Sequence, residues 1–311
     1  MTSTLNQLKK MTTVVADTGD LQAIARLKPV DATTNPSLIT KALSATEMQP
    51  LLVATLKKHD NHVDAVIDDL TIYIGTEILK LINGRVSTEV DARLSFDTQA
   101  TVDKALQYIE AYAKAGIDSD RILIKIAATW EGIQAARILE QQGIHCNLTL
   151  LFGLHQDKAC ADAGVTLISP FVGRILDWQK KSAGVDNVLI AEDRGVQSVK
   201  QIYEYFKQHD YPTQIMGASF RSVEQILALA GCDLLTIAPD LLDKMATMNV
   251  PVTRQLYPDM ALQPMKKEIL DSESFAQLHA QDLISQALLP AGIEGFIKAR
   301  EELVEKLNSL V

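Results

Sequence analysis

Short apolar runs alternate with longer amphipathic stretches along most of the chain. The stretches carry apolar residues at helical spacing, and several end in glycine, as Gly132–Gln142 does before Gly143. The runs have the near-continuous aliphatic character of strands that are buried on both faces. There are eight of them: Thr13–Asp17, Asp31–Asn35, Val86–Val90, Ile122–Ala127, Cys146–Leu150, Thr166–Phe171, Gln214–Ser219 and Leu234–Pro239. Strands that alternate with helices indicate parallel βαβ units.

Eight successive units predict an α/β fold, a (β/α)8 TIM barrel with extra helices. The segment between the second and third strands is long enough for two helices, and the tail predicts at least two more, around Ser272–Leu289 and Gly295–Leu310. We therefore predict one catalytic domain over residues 1–311, with residues 251–311 as its C-terminal helical extension. The alternative is a doubly wound open sheet, but its usual GxGxxG turn is missing after the first strand.

The fourth predicted strand contains a lysine, Lys125, within an otherwise apolar run. Burial of this side chain would favour the neutral amine over the ammonium ion, because a charged group loses its hydration. A neutral amine attacks carbonyl groups, so Lys125 is a candidate for Schiff-base formation. The alternative is a lysine at a strand end that extends its charged group into solvent.

Polar residues recur at the carboxyl ends of the predicted strands, which is where barrel enzymes carry their chemistry. Taken singly they have simpler explanations, since Asp17 could cap the next helix, Asn35 could form a turn and Glu89 could pair with Arg93. Together they converge as an active site requires. The set comprises Asp17, Thr33, Asn35, Glu89, Lys125, Asn147, Thr149, Ser169, Ser219 and Thr236.

Two arginines follow the late strands. Arg174 comes just after the sixth strand, and Arg221 comes just after the seventh, at the start of a predicted helix over Ser222–Ala230. A helix N-terminus favours anions, and phosphate sites of barrels lie in this region. The pair predicts a phosphate site, although each arginine alone could form a surface ion pair of little energetic value.

Charge, cysteine content and apolar segments argue against several classes of protein. The chain has 30 basic and 39 acidic side chains, for a net charge of −9, which argues against a nucleic-acid surface. Its three cysteines form no CxxC pair, as expected in a reducing compartment. No segment is long and apolar enough to span a bilayer, and the histidines lack a metal-ligand spacing. We expect a cytoplasmic protein with no nucleic-acid, membrane or metal partner.

Seven separated motifs lie on almost every strand up to about Pro239. They are VVADTGD (Val14–Asp20), DATTNPSLI (Asp31–Ile39), STEVDARLS (Ser87–Ser95), ILIKIA (Ile122–Ala127), CNLTLLF (Cys146–Phe152), ISPFVGRILDW (Ile168–Trp178) and MGASFR (Met216–Arg221). These motifs, in this order, resemble the transaldolase family, whereas the tail after Pro251 carries no recognised motif. The resemblance implies the longer, dimeric type of this family, a (β/α)8 barrel that forms a homodimer and needs no metal or organic cofactor.

The resemblance also implies a role for each polar residue. Lys125 would be the Schiff-base lysine, and Asp17 the general acid/base at the substrate C4 hydroxyl. Glu89 and Thr149 would hold the water for carbinolamine dehydration. The implied substrate-binding residues are Thr33, Asn35, Asn147, Ser169, Phe171, Arg174, Ser219 and Arg221, of which Arg174, Ser219 and Arg221 form the phosphate site.

The implied reaction transfers a dihydroxyacetone unit between sugar phosphates in the non-oxidative pentose phosphate pathway. The donors would be sedoheptulose 7-phosphate or fructose 6-phosphate, and the acceptors glyceraldehyde 3-phosphate or erythrose 4-phosphate. Two alternatives stay open. One is an aldolase that uses the same lysine but releases dihydroxyacetone to water, and the other is a phosphosugar-binding barrel without chemistry.

Overall fold

Eight parallel strands hydrogen-bond in chain order and close into a barrel, which confirms the predicted fold class. The computed structural model describes residues 2–259 and 264–310, so residues 260–263 of the predicted extension lie outside the described residues. The strands are β1 (Thr13–Asp17), β2 (Asp31–Thr33), β3 (Val86–Glu89), β4 (Ile122–Ala127), β5 (Cys146–Leu151), β6 (Leu167–Pro170), β7 (Gln214–Gly217) and β8 (Leu234–Ile237).

The predicted bounds of β1 and β4 are confirmed, whereas five of the other strands end earlier than predicted. In β2 the cause is the next helix. Asn35 is its N-cap, and the Asn35 side chain accepts a hydrogen bond from the backbone N–H of Leu38 at 2.9 Å. In β7 the chain leaves the strand before Ser219, which has a left-handed backbone with φ of 62°. Asn35 and Ser219 thus belong to the loops after their strands, whereas Asp17, Lys125 and Thr236 lie within strands.

Fourteen α-helices occur in the described part of the chain. They are α1 (Thr4–Leu8), α2 (Leu21–Leu27), α3 (Pro36–Leu43), α4 (Gln49–Lys58), α5 (Val63–Leu81), α6 (Thr98–Lys114), α7 (Trp130–Gln141), α8 (Leu154–Asp162), α9 (Val172–Ala183), α10 (Arg194–Gln208), α11 (Val223–Leu227), α12 (Pro239–Thr247), α13 (Ser272–Gln281) and α14 (Leu283–Asn308). Short 3₁₀ turns cover Thr46–Met48, Ala92–Leu94, Ser119–Arg121 and Ile190–Glu192.

Three helix predictions are corrected by the structure. Three α-helices, not two, lie between β2 and β3. The predicted break between Leu289 and Gly295 is wrong, because the tail helices divide at Asp282, whose carboxylate caps α14 by accepting from two backbone N–H groups at 3.0 and 3.1 Å. Helix α14 then runs through Pro290 without ending. Asp17 is not a cap either, because Asp20 itself caps α2.

The barrel interior has an apolar floor below a polar layer. The floor is one cluster of fully buried side chains: Val15, Leu123, Leu167, Met216 and Leu234. Side chains two positions further along a strand point to the same face. That step leads from floor residues to Asp17, Lys125, Ser169 and Thr236. The chain therefore stacks its polar residues as a layer directly above the packed floor.

Helix α14 crosses the carboxyl ends of the central strands. Its buried residues Leu289, Ile293 and Phe296 belong to the same cluster as residues that end or follow β4 to β7. Strand β5 changes its register with β6 between Leu148 and Leu151, and Leu150 there has a left-handed backbone with φ of 58°. A bulge of this kind redirects side chains. Leu150 packs in that cluster against the helix.

Two glycines of α14 differ in the space around them. A Cβ atom at Gly292 would lie 2.7 Å from Leu150 Cδ2, whereas one at Gly295 would meet nothing within 4 Å. We expect Gly292→Ala to lower the free energy of unfolding by about 1–3 kcal/mol through overpacking. Gly295→Ala should raise it by about 0.5–1 kcal/mol, since alanine is the better helix former. Urea denaturation measures both, and a shift of the same sign in both variants would contradict this packing.

Candidate active site

Lys125 is buried in the polar layer, with 4% of its surface exposed. Its Nζ atom donates a hydrogen bond to the carbonyl oxygen of Thr34 at 3.1 Å and lies 3.0 Å from Oε2 of Glu89. The Phe296 ring lies 5.9 Å from the same nitrogen. The alternative in which Lys125 reaches solvent is therefore wrong. The amine is held away from bulk water beside a carboxylate that can take its proton.

Strand register explains why Glu89 meets Lys125. The two residues are direct partners on the neighbouring parallel strands β3 and β4. Their side chains share the inner face, and both are at least 95% buried. The alternative in which Glu89 pairs with Arg93 is wrong, because Arg93 pairs with Asp91 at 2.6 Å. Glu89 therefore pairs with the buried Lys125 and not with an exposed arginine.

The second buried carboxyl group, Asp17, ends β1. The hydroxyl of Thr33 donates to Oδ1 of Asp17 at 3.0 Å and lies 2.8 Å from the hydroxyl of Thr236. Burial raises the pKa of Asp17, and the charge of Lys125 opposes that rise. Burial raises the pKa of Glu89 in the same way, again opposed chiefly by Lys125. Two carboxyl groups whose pKa values lie above their ordinary values can exchange protons as general acids and bases.

A second chain of hydrogen bonds runs through Asn147, the strand neighbour of Lys125. Its Nδ2 atom donates to Oγ of Ser87 at 3.0 Å, and its Oδ1 atom accepts from Oγ of Ser169 at 2.6 Å. Asn147 is fully buried. Asn147 therefore fixes the orientation of the Ser169 hydroxyl group beside Lys125.

Most of the predicted residues surround one pocket. Glu89, Asn147 and Thr149 do not line it, and Thr149 is fully buried beside Ala127, with no hydrogen-bond partner for its hydroxyl in the described chain. The predicted residues that line it are Asp17, Thr33, Asn35, Lys125, Ser169, Phe171, Arg174, Ser219, Arg221 and Thr236. Ten residues from six strands or the loops after them thus converge on one space.

The outer part of the pocket is cationic. Arg174, in the first turn of α9, lies with its guanidinium carbon 4.9 Å from the centre of the Phe171 ring. Arg221 donates to Oγ of Ser219 at 3.2 Å and to Oδ2 of Asp177 at 2.7 Å. The two arginines, with the serine hydroxyl between β7 and α11, form a fork suited to a phosphate group.

Sequence reasoning missed Phe296. Its ring contacts Lys125 and also lies 5.6 Å from the guanidinium carbon of Arg174. The residue stands in the tail, where no motif was recognised, and the only signal was the apolar spacing of Leu289, Ile293 and Phe296 along one helix face. That spacing predicts that Phe296 is buried, but it does not predict that its ring lies near Lys125 and Arg174.

Within residues 2–259 and 264–310, no group of three or more His, Cys, Asp or Glu side chains is placed to hold a metal ion. No helix in the same part of the chain is long and apolar enough to cross a membrane.

The raised pKa of Asp17 has a consequence for stability. In the folded chain this group holds its proton to higher pH than in the unfolded chain, so its contribution to stability is fully present below the unfolded pKa of about 3.9 and is lost as pH rises through the folded pKa. We expect Asp17→Asn to raise the melting temperature at pH 7 by roughly 2–4 °C, and the gain to vanish toward pH 4.

Thermal denaturation between pH 4 and pH 8 measures this effect. Asp243→Asn is the matched control, because Asp243 is exposed and a hydrogen bond from Arg26 lowers its pKa. That control should give no stabilisation at pH 7. A lower melting temperature of Asp17→Asn at neutral pH would contradict the expected cost of burying this charge.

Known proteins resemble this chain over nearly its full length. The family described as Transaldolase/Fructose-6-phosphate aldolase matches residues 14–307. The transaldolase of Synechocystis sp. is 54% identical over 314 residues, 98% of this chain and 80% of the relative. The transaldolases of Prochlorococcus marinus and Methylococcus capsulatus are 53% and 51% identical, over 99% and 97% of this chain and 94% and 95% of the relatives. This chain belongs to the transaldolase/fructose-6-phosphate aldolase family.

Proposed function

We propose that Lys125 forms the Schiff base by which this chain transfers a dihydroxyacetone unit between sugar phosphates. Transaldolase activity follows from family membership and from the identity to relatives of that name. The observation that carries the assignment of residues is a buried lysine between Asp17 and Glu89, at the base of a pocket with Arg174 and Arg221 at its outer part. Sedoheptulose 7-phosphate and fructose 6-phosphate are the proposed donors.

The first step is attack of the Lys125 amine on the ketone carbon C2. Transfer of the ammonium proton to Glu89, 3.0 Å away, gives the neutral amine. Attack forms a carbinolamine, and protonation of its oxygen by Glu89 releases water and leaves an iminium ion. The apolar floor and the Phe296 ring keep this chemistry away from bulk solvent.

The second step breaks the bond between C3 and C4. Asp17 takes the proton of the C4 hydroxyl, the C3–C4 electron pair moves into the iminium ion, and an aldose phosphate leaves. Asp17 suits this role because burial raises its pKa and the Thr33 hydrogen bond fixes its orientation. A three-carbon enamine stays on Lys125 until an acceptor, glyceraldehyde 3-phosphate or erythrose 4-phosphate, takes it in the reverse sequence.

The substrate is oriented by its phosphate. Arg174 and Arg221, with the hydroxyl of Ser219, are proposed to hold the phosphate at the outer part of the pocket. Ser169, Asn35 and Thr33 line the space between that site and the amine and are proposed to bind substrate hydroxyl groups, with Asn147 acting through Ser169. We propose that Thr149 helps to hold the water, since its buried hydroxyl has no hydrogen-bond partner among the described residues.

Release of free dihydroxyacetone, the aldolase outcome, is the second candidate. The Phe171 ring favours transfer, because an apolar side chain beside the enamine offers no proton and no hydrogen bond to a hydrolytic water. Product analysis with and without an acceptor aldose distinguishes the two outcomes. Appreciable dihydroxyacetone without an acceptor would favour the aldolase.

Three broader properties of the chain are also proposed. We propose that residues 1–311 act as one catalytic domain, with residues 251–311 as its helical extension, because α14 packs on the barrel and contributes Phe296 to the site. The homodimer rests on the family resemblance, and sedimentation velocity would measure it. A cytoplasmic location fits three buried, unpaired cysteines, and cell fractionation would test it.

Loss of the amine should abolish the covalent step. We expect Lys125→Ala to lose at least 10³-fold in turnover, with an unchanged circular dichroism spectrum, because no other group in the pocket supplies a nucleophilic nitrogen. Borohydride reduction with fructose 6-phosphate, followed by peptide mass spectrometry, should find a reduced three-carbon adduct on Lys125 of the wild type. Lys158→Ala, a change in a lysine paired with Glu268 outside the pocket, is the control. Near-normal turnover of Lys125→Ala would refute the mechanism.

Loss of a phosphate-binding arginine should affect phosphorylated substrates selectively. We expect Arg221→Ala to raise KM for fructose 6-phosphate about tenfold or more, since hydrogen bonds to charged groups contribute about 1.5–3 kcal/mol. KM for unphosphorylated dihydroxyacetone should change less than twofold. Arg26→Ala, which removes an exposed arginine on the outside of the barrel, is the control. Equal effects on both substrates would count against the phosphate site.

A further inference from the structure

A second cavity, which we term the rear cavity, lies next to Glu89 and is separate from the sugar pocket. It is enclosed by α3, α5, α6, α14 and the end of β3, and its volume is about 40 Å³. Glu89 lines the rear cavity but not the sugar pocket, and Lys125 lines the sugar pocket but not the rear cavity. Asn35 lines both spaces, and the ion pair of Lys125 and Glu89 spans the boundary between them.

The rear cavity is built to hold water. A water molecule needs roughly 10–15 Å³ and two to four polar partners, so there is room for a few molecules. Thr34 and Thr71 contribute hydroxyl groups to the lining, and Tyr108 lines it together with Asp68, to which its hydroxyl donates at 2.9 Å. The rest of the lining is apolar and includes Ile39, Ile67, Val90, Phe296 and Leu303, so water would be held at the polar side of the cavity.

Its far wall belongs to the C-terminal helix. Arg300 of α14 lines the cavity and pairs with Asp91, its Nε atom lying 3.0 Å from Oδ2 of the carboxylate. Both side chains are about one-tenth exposed. Helix α14 thus closes the rear cavity with charged groups at the boundary to solvent.

The proposed Schiff-base chemistry, on which this inference rests, needs such a space. One water molecule leaves when the carbinolamine becomes an iminium ion, and one enters when the final iminium ion is hydrolysed. At both moments a sugar phosphate occupies the pocket between Lys125 and the arginines. The direct way from solvent to the reacting carbon is then filled by the substrate itself.

We infer that the rear cavity supplies and receives the water of the imine steps through Glu89. On dehydration, the proton of Glu89 goes to the carbinolamine oxygen, the C2–O bond breaks with its electron pair on oxygen, and the nitrogen lone pair forms the C=N bond. The released water enters the rear cavity. On hydrolysis a water from the rear cavity gives one proton to Glu89, its oxygen forms the bond to C2, and the π electrons of the C=N bond return to the nitrogen.

Filling the rear cavity should separate water exchange from sugar binding. Thr71→Leu and Ala92→Leu add volume from two different walls, and neither residue lines the sugar pocket. Thr71→Ser and Ala92→Ser are the matched controls, since they leave the space open and keep the hydroxyl group at position 71. The readouts are the enzyme-catalysed incorporation of ¹⁸O from labelled water at C2 of fructose 6-phosphate, followed by mass spectrometry, and the kcat and KM of transfer.

We expect both leucine variants to lose tenfold or more in ¹⁸O incorporation and in kcat, with KM within twofold of the wild type. The two controls should stay within twofold in every readout. Leucine variants that fold, as judged by circular dichroism and melting temperature, and exchange ¹⁸O at the wild-type rate would overturn the inference. If both leucine variants fail to fold, Ala92→Val gives a smaller filling with the same two outcomes.

Failure of the proposed Schiff-base mechanism would give a different set of results from failure of the rear-cavity inference. A wild-type protein that forms no borohydride-stable adduct on Lys125 and incorporates no ¹⁸O would overturn the proposed function itself. An adduct in the wild type together with undiminished exchange in the filled variants would overturn only the role of the rear cavity.

Discussion

The buried pair of Lys125 and Glu89 is the interaction on which the site depends. Removing two charges from water costs several kcal/mol for each ion, and their mutual attraction offsets that cost only when geometry and hydrogen bonding are good. Here strand register places the two side chains opposite each other, and the Thr34 carbonyl accepts a second bond from the amine. Apolar residues of similar volume would stabilise the barrel at least as well. The ion pair is therefore explained by its role in the reaction and not by a contribution to stability.

The apolar floor provides the packed core that offsets the cost of burying the ion pair. Val15, Leu123 and Leu167 pack below the polar layer with side chains from β7 and β8, so the backbone beneath each polar residue is fixed by a packed core. Parallel strands bring all their carboxyl ends to one rim, so residues distant in sequence meet without long loops. Two hydrogen-bonded groups, around Thr33 and around Asn147, then hold the walls beside the lysine. The positions are set before any substrate binds.

The fold and most of the site could be predicted because their signals are local. An apolar run identifies each strand, and alternation with period two assigns Lys125 to the same face as Leu123. The position of α14 has no such signal. Its docking depends on the left-handed backbone of Leu150 and on the close approach at Gly292, both tertiary features. Packing against the barrel also keeps α14 continuous through Pro290, where the sequence analysis placed a gap between two helices.

Helix α14 lies along the rear cavity and also reaches Lys125. Phe296 lies near Lys125 and Arg174 and lines the rear cavity, and Arg300, about one turn further along, closes the rear cavity with Asp91. Two successive helix turns thus bound the rear cavity, and the ring on the first of them also lies beside the amine. Because a helix moves as a rigid unit over one turn, a displacement that loosened the Arg300–Asp91 pair would also shift Phe296. The packing of α14 therefore affects both the solvent exposure of the Lys125 amine and the space for water beside Glu89.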